Sequence, residues 1–235
     1  MSGGGLAEYA VASASLTALR PPEVSAAEAA CLPASAVTAL RSLVAAGVSL
    51  DTRDTGRRKN VLVTAASGGV GHFAVQLARM GGHHVTATCG ARNVDLVKSL
   101  GADEALDYAT PEGAALRSPS GRRYDAVVHC ATGLPWSMFE PVLAAGGTVV
   151  DITPGLAAVG TALLQRLTFS NKRLVPLIVW TKKEEMELLV GMVKQGRLKA
   201  VIDSRYSLSR AQEGWAKSMS GHATGKIVVE MGDAN

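Results

Sequence analysis

The sequence predicts an α/β fold built on a doubly wound parallel sheet. Short apolar runs alternate with amphipathic segments from Val61 to about Trp180, which is the pattern of strands separated by helices. The 235 residues are 47% hydrophobic but only 4% aromatic, so Ala, Val and Leu supply a core of the kind that parallel strands pack. A glycine-rich turn also joins the first of these strands to the helix that follows it.

Composition and charge exclude several classes of function. The net charge of +4 is small, and the tightest basic cluster, residues 57–59, has no aromatic neighbours to stack on bases, so nucleic-acid binding is not expected. The three cysteines, Cys31, Cys89 and Cys130, lack the spacing of metal ligands, so the sequence predicts a reducing compartment and no structural metal. Charge, Gly or Pro breaks every long apolar stretch, so no transmembrane segment is expected.

The N-terminal part precedes the alternating pattern. Residues 6–19 are predicted to be extended. Ser25 and Glu28 have the spacing of a capping box, which predicts that a short helix begins there. Pro33 is expected to interrupt it, and a second helix should then continue until Gly47 stops it.

The remaining elements follow from hydrophobic periodicity and glycine stops. Strands are predicted over 61–63, 84–88, 104–108, 126–130, 148–152 and 174–180, and helices over 71–80, 94–100 and 136–145. Because strands separated by helices are joined by right-handed crossovers, all six should be parallel and covered on both faces. After residue 181 this repeat stops. Helices over 184–194 and 209–219 and strands over 199–203 and 226–230 are assigned to a different unit.

The run from Ala65 to Gly71 carries the predicted chemistry. A strand feeds a tight turn, and the turn opens a helix whose free N–H groups and positive dipole end favour an anion. Glycines let the backbone approach a pyrophosphate without a Cβ in the way. This context predicts a Rossmann-type dinucleotide site, with a purely structural turn as the alternative. The predicted contacts in the turn are Ser67, Gly68, Gly69, Val70 and Gly71.

The end of the second strand indicates which cofactor is bound. NAD sites carry an acidic residue about 20 positions past the glycines, where it holds the ribose 2′-hydroxyl. The stretch from Thr88 to Asn93 contains no acid, and Arg92 is suited to pair with a 2′-phosphate. Cys89, Gly90 and Asn93 are predicted to add contacts. NADPH is therefore predicted, while a solvated Arg92 at a helix start is the alternative.

Further contacts follow from topology. Ligands of such sheets bind beyond the carboxyl ends of the strands. Tyr108, Cys130, Ala131 and Thr153 lie at those ends and are predicted to contact the cofactor, with ordinary loop or packing roles as the alternative.

No catalytic residue is identified. His129 and Cys130 are adjacent on a strand, so their side chains should point to opposite faces and cannot form a nucleophile pair. His72, at the start of the helix after the turn, is predicted to be an exposed helix residue rather than a catalytic acid. No Tyr has a Lys four residues further on, so the proton-transfer pair of short-chain dehydrogenases is missing.

Several segments together resemble the zinc-independent quinone oxidoreductases of the medium-chain dehydrogenase/reductase superfamily. Matching segments are 20–25, 65–71, 75–78, 99–103, 124–127 and 225–229. Two further runs, 86–93 and 221–226, are most similar to plant chloroplast-envelope members of that family.

The resemblance implies a Rossmann domain inserted into a GroES-like, β-rich substrate domain. Domain bounds of 1–33, 34–181 and 182–235 follow, with remnants of the substrate domain at both chain ends and most of its N-terminal part missing. The apolar face of that domain is then expected to be exposed or shielded by a partner. The first residues resemble the last strand of the missing part.

The resemblance also implies activity and location. The family reduces quinones or α,β-unsaturated carbonyls with NADPH and without zinc. Thr38 is similar to a nicotinamide-proximal threonine of the family. A chloroplast envelope location is expected, with the cytoplasm as the alternative. A homodimer and peripheral membrane association are left open. The alternative functions are a catalytically impaired NADPH-binding module with a partner-binding or regulatory role, and a fragment without independent function.

Overall fold

The protein is described by a computed structural model over residues 5–7, 9–51 and 58–231. The basic cluster at 57–59 therefore lies partly outside the described residues. The chain divides into two compact units, Thr38–Val179 and a second formed by Met1–Val37 with Trp180–Asn235. The domain bounds inferred from the sequence stay predictions.

A six-stranded parallel sheet forms the centre of the unit Thr38–Val179. Its strands are β1 Asn60–Val63, β2 His84–Cys89, β3 Glu104–Asp107, β4 Tyr124–His129, β5 Leu143–Asp151 and β6 Arg173–Pro176. Their spatial order is β3-β2-β1-β4-β5-β6, so the direction of strand addition reverses between β1 and β4. The predicted doubly wound parallel sheet is confirmed.

Helices connect these strands and also form much of the second unit. In chain order they are α1 Ala26–Ala30, α2 Val37–Ala45, α3 Gly71–Met80, α4 Val94–Ser99, α5 Pro111–Ala114, α6 Trp136–Phe139, α7 Leu156–Leu167, α8 Lys183–Lys194 and α9 Ala211–Met219. The predicted limits of the helix after the glycine turn agree with those of α3.

The capping box before α1 is present. The Ser25 hydroxyl accepts the Glu28 N–H at 3.2 Å, and the Glu28 carboxylate accepts the Ser25 N–H at 3.1 Å. The interruption expected at Pro33 is wrong, because Leu32–Ala36 forms a π-helical turn that leads directly into α2. The missing N–H of Pro33 is tolerated at the start of this wider turn. Gly47, at φ +67°, then ends the helical run.

One helix predicted before β5 is too long, and one helix after β5 was not predicted. The helix expected over 136–145 stops at Phe139, a 3-10 turn with Pro141 follows, and β5 begins at Leu143. Proline removes a backbone donor that a longer helix would need. Helix α7 is missing from the sequence prediction, because its segment has no charge before Arg166 and so lacks the polar stripe of an amphipathic helix.

A continuous apolar row crosses one face of the sheet. Leu62, Val127, Val149 and Leu174 are register partners on adjacent strands, and all four belong to one buried cluster. The Tyr124 hydroxyl, also buried there, donates to the Leu116 carbonyl at 3.0 Å. The row fixes the register of four strands, because a slip by one residue would turn these side chains to the other face.

The second unit contains a two-stranded parallel sheet, β7 Ile202–Ser207 and β8 Lys226–Glu230. The strand expected at 199–203 begins later, at Ile202. The described residues of 6–19 contain a 3-10 turn and no strand, and the assignment of residues 1–33 to a substrate domain stays a prediction. Extended backbone becomes a strand only where a neighbour pairs with it. Tyr9 and Leu19 are 89% and 88% exposed.

We expect Leu62→Ala to lower the free energy of unfolding by about 2–5 kcal/mol, because it leaves a cavity in the apolar row. Leu62 is completely buried. Leu156→Ala is the matched control. Leu156 is 94% exposed, so its truncation should change stability by less than about 0.5 kcal/mol. Urea unfolding measures both, and equal effects would contradict the assignment of this core.

Candidate nucleotide-binding site

The glycine-rich turn is held against the end of β2. The Ala65 N–H donates to the Thr88 hydroxyl at 3.2 Å, and the Ala66 N–H donates to the Thr88 carbonyl at 2.8 Å. Ala65 has a φ of +47°, a conformation that few non-glycine residues adopt. The Gly68 N–H closes the turn on the Ala65 carbonyl at 2.9 Å. The turn is therefore held in one shape by backbone contacts.

Gly71 allows α3 to approach this turn closely. A Cβ at Gly71 would lie 2.3 Å from the Ala65 carbonyl oxygen and 2.7 Å from the Ala66 Cα. Both are backbone atoms and cannot rotate away. Only glycine fits where a helix packs this tightly on a strand end.

Three backbone N–H groups at the start of α3 take no part in the hydrogen bonds that hold the turn. Along the described part of the chain, the N–H groups of Gly69, Val70 and Gly71 have no protein acceptor. They sit at the positive end of a ten-residue helix. Such a set of donors fits an anion such as a pyrophosphate.

His72 is not the exposed residue that the sequence predicts. It is completely buried, and its Nδ1 lies 2.8 Å from the Gly68 carbonyl oxygen. Because a carbonyl only accepts, Nδ1 must carry the hydrogen. The prediction fails because the first eight residues of α3 are all buried, so helical periodicity does not distinguish an outer face.

The turn after β2 meets the glycine-rich turn. The Asn93 amide donates to the Ser67 hydroxyl at 3.1 Å. This hydrogen bond connects two residues that were predicted to contact the cofactor. Arg92 is exposed in the adjacent 3-10 turn Ala91–Asn93. Tyr108 lies across this turn, since its hydroxyl would be 3.2 Å from a Cβ at Gly90.

Cys89 offers no side chain to this surface. Its thiol is buried, and burial with the nearby Asp107 carboxylate raises the pKa of Cys89 to about 11. Its carbonyl accepts the Tyr108 N–H at 3.1 Å. Any contribution of Cys89 to a site must therefore come from its backbone.

Thr64 joins the ends of β1 and β4, and sequence reasoning missed it. Its hydroxyl accepts the N–H groups of Cys130 at 2.9 Å and Ala131 at 3.2 Å. Those two donors are thus occupied within the protein, which leaves the carbonyl groups and side chains for a ligand. A polar residue directly after the apolar run Val61–Val63 was the available signal.

Three further predicted residues are Thr153, Thr38 and Cys130. Thr153 is exposed after β5, and its N–H donates to the Asp151 carboxylate at 2.9 Å. Thr38 is half-buried near the start of α2, where its carbonyl accepts the Ser42 hydroxyl at 2.7 Å. Cys130 is half-buried, and burial with the Asp151 charge raises its thiol pKa to about 12, so it is not a thiolate at neutral pH.

Neither a membrane span nor a metal cluster occurs in the described residues. No helix among them is long and apolar enough to cross a membrane. No three His, Cys, Asp or Glu side chains among them come close enough to hold a metal ion.

Comparison with known proteins defines the class. Residues 100–229 match the family described as "Zinc-binding dehydrogenase". The chain therefore belongs to this family of the medium-chain dehydrogenase/reductase superfamily, whose members are oxidoreductases that use nicotinamide cofactors. The described residues do not fit a zinc site, and independence from zinc stays a prediction.

The most informative relative is a plant protein. A "Chloroplast envelope quinone oxidoreductase homolog" of Arabidopsis thaliana is 61% identical over 98% of this chain and 70% of its own length. The resemblance drawn from the motifs is confirmed, and the name agrees with the predicted chloroplast location.

Solved structures agree on the fold. The quinone oxidoreductase from Coxiella burnetii matches with a TM-score of 0.77 and 27% identity, over 91% of this chain and 63% of that one. An NAD-dependent alcohol dehydrogenase matches with a TM-score of 0.80 and 27% identity, over 97% and 66%. The chain thus spans less than two thirds of either solved protein.

Gly71→Ala should lower the free energy of unfolding by about 1–3 kcal/mol, because the added methyl group overlaps backbone atoms that cannot move freely. Gly160→Ala in α7 is the matched control. Nothing lies within 4 Å of a Cβ there, so Ala should stabilise that helix by about 0.5–1 kcal/mol. Thermal unfolding of both variants measures the difference, and an unchanged midpoint for Gly71→Ala would contradict the close packing.

Proposed function

We propose that this protein is an NADPH-dependent oxidoreductase that transfers a hydride to a quinone or an α,β-unsaturated carbonyl. The observation that carries the proposal is the set of N–H groups at Gly69, Val70 and Gly71 that have no acceptor in the described part of the chain, beside a second turn that contains Arg92. The names of the quinone oxidoreductase relatives support the reaction class.

In this proposal, the glycine-rich turn and the turn after β2 bind different parts of NADPH. The free N–H groups and the dipole of α3 bind the pyrophosphate. Arg92 pairs with the 2′-phosphate, and Asn93 orients that turn through Ser67. Gly90 lets the ribose approach beneath Tyr108. When bound, the nicotinamide ring supplies the hydride.

The other predicted residues belong to the nicotinamide half of the site. Cys130 and Ala131 contribute carbonyl groups there, because their N–H groups are held by Thr64. Thr153 and Thr38 offer hydroxyl groups that accept or donate hydrogen bonds. No step is assigned to a metal, and none of these residues is assigned as the proton donor.

Two association hypotheses belong to the same proposal. The apolar side chains Leu163, Leu164 and Leu167 of α7 are 59%, 60% and 68% exposed beside β6, which is an outer strand of the sheet. An exposed apolar surface next to a strand edge that no described strand pairs with favours self-association. A homodimer would appear as twice the chain mass in light scattering.

Peripheral binding to the envelope would appear as co-sedimentation with galactolipid vesicles.

Arg92→Ala tests the cofactor assignment. We expect the NADPH dissociation constant to rise roughly 10- to 100-fold, because a charge-assisted pair with the 2′-phosphate is lost. NADH, which lacks that phosphate, should change by less than about twofold. Arg122→Ala is the control, since Arg122 is exposed at the opposite, amino end of β4. Fluorescence titration measures all four values, and equal losses for NADPH and NADH would contradict the assignment.

The rate of NADPH oxidation distinguishes an active reductase from a module that only binds NADPH. NADPH oxidation should accelerate on addition of a small quinone or a short enone, in proportion to protein concentration. Binding of NADPH without oxidation by any acceptor would instead support a nucleotide-binding module. Failure to bind either nicotinamide cofactor would refute both.

A further inference from the structure

A groove of about 770 Å³ lies between helix α7 and the outer strand β6, within the unit Thr38–Val179. Its walls are largely apolar and include Leu163, Phe169 and Val175. Phe169 follows the end of α7 and is 92% exposed. An apolar surface this open to solvent is typical of a place where a ligand or a partner binds.

One end of this groove is cationic. Arg166 is in the last turn of α7, and Arg173 is the first residue of β6. Both side chains are exposed and line the groove. Among the residues that the structure describes, neither guanidinium has a hydrogen-bond or ion-pair partner, and no carboxylate lines the groove. Because an arginine binds a carboxylate through two parallel hydrogen bonds, both charges are available to an anion.

The cationic end of the groove lies far from the turns proposed to bind NADPH. Those turns follow β1 and β2 at the carboxyl edge of the sheet, whereas Arg173 begins β6 at the amino edge. All six strands are parallel, so these are opposite edges. A ligand held by the two arginines is therefore distinct from the proposed cofactor.

The outer edge of β6 offers little to an added strand. The Leu177 N–H donates to the Asp151 carbonyl of β5, so alternation directs the N–H positions of residues 174 and 176 to the outer edge. The Leu174 N–H is occupied by the Gln165 Oε1 at 2.7 Å, and Pro176 has no N–H. A peptide strand would find no donor at either position, which favours a ligand of another kind.

We propose that this groove binds a long-chain carboxylate, with its chain along the apolar side of α7 and its carboxylate paired with Arg166 and Arg173. A methylene group fills about the volume of a water molecule, about 30 Å³, so one chain of about 16–18 carbon atoms needs about 500 Å³. A lipid with two such chains needs about 1,000 Å³, which exceeds the groove. A neutral amphiphile would leave both guanidinium groups without an anion.

Displacement of cis-parinaric acid, a fluorescent long-chain carboxylate, tests the site on the whole chain. Palmitate should displace the probe, and methyl palmitate, which has the same chain without the charge, should bind roughly tenfold more weakly. Acetate should not displace the probe, because it has no chain to cover the apolar wall. Palmitate contains neither a quinone nor an enone, so binding is measured without the proposed reaction.

Arg166→Gln and Arg173→Gln test the contact with the carboxylate. Each should weaken palmitate roughly tenfold and change methyl palmitate by less than about twofold. Arg117→Gln is the matched control, because Arg117 is exposed and lies outside the groove. Leu163→Gln should instead weaken both ligands alike, since both have the chain. All four side chains are exposed, so the fold should be retained, which circular dichroism checks.

Several results would overturn the proposal. One is an equal loss of palmitate and methyl palmitate in R166Q and R173Q. Displacement of the probe by NADPH would place the carboxylate in the dinucleotide site. Co-sedimentation with phosphatidylglycerol vesicles that R166Q reduces, without displacement of the probe by palmitate, would identify a two-chain lipid instead. A dimer in light scattering that L163Q dissociates and palmitate leaves intact would identify a contact between two copies of the chain.

Discussion

The close approach of α3 to the end of β1 is the constraint on which the site depends. Gly71 stands against the Ala65 and Ala66 backbone at distances that no side chain would tolerate. This contact brings the first turn of the helix directly over the strand end. The N–H groups of residues 69–71, which have no acceptor among the described residues, therefore lie at the carboxyl edge of the sheet, where a parallel α/β fold binds its ligands. A looser contact would turn the same donors toward solvent.

Thr64 provides the second constraint, across the point where the strand order reverses. Strands β1 and β4 are neighbours in the sheet but lie 65 residues apart at the Thr64–His129 contact. Where two neighbouring parallel strands are followed by helices on opposite faces of the sheet, a crevice opens between the ends of the two strands. One buried hydroxyl holds both edges of that crevice through three hydrogen bonds. The shape of the turn after β1 and the path of the chain after β4 are consequently coupled.

Sequence patterns predicted the parts of the fold that depend on local chemistry. The capping box at Ser25, the limits of α3 and the parallel order of the sheet follow from residue types at fixed spacing. The missed features depend on contacts between distant segments. His72 is buried because α3 is covered on all sides, and β5 begins early because it pairs with β4 from Leu143 onwards. Periodicity does not contain that information.

The candidate site also has parts that local residue patterns predict and parts that depend on contacts between distant segments. Glycine spacing and the missing acid after β2 indicated a dinucleotide and its phosphate, while the role of Thr64 needed the register of β1 and β4. A crystal structure of the protein with NADPH tests the central claim most directly. We expect pyrophosphate oxygens within hydrogen-bonding distance of the N–H groups at residues 69–71, and the 2′-phosphate beside Arg92. Cofactor bound away from this turn, or a 2′-phosphate that contacts no cation, would contradict it.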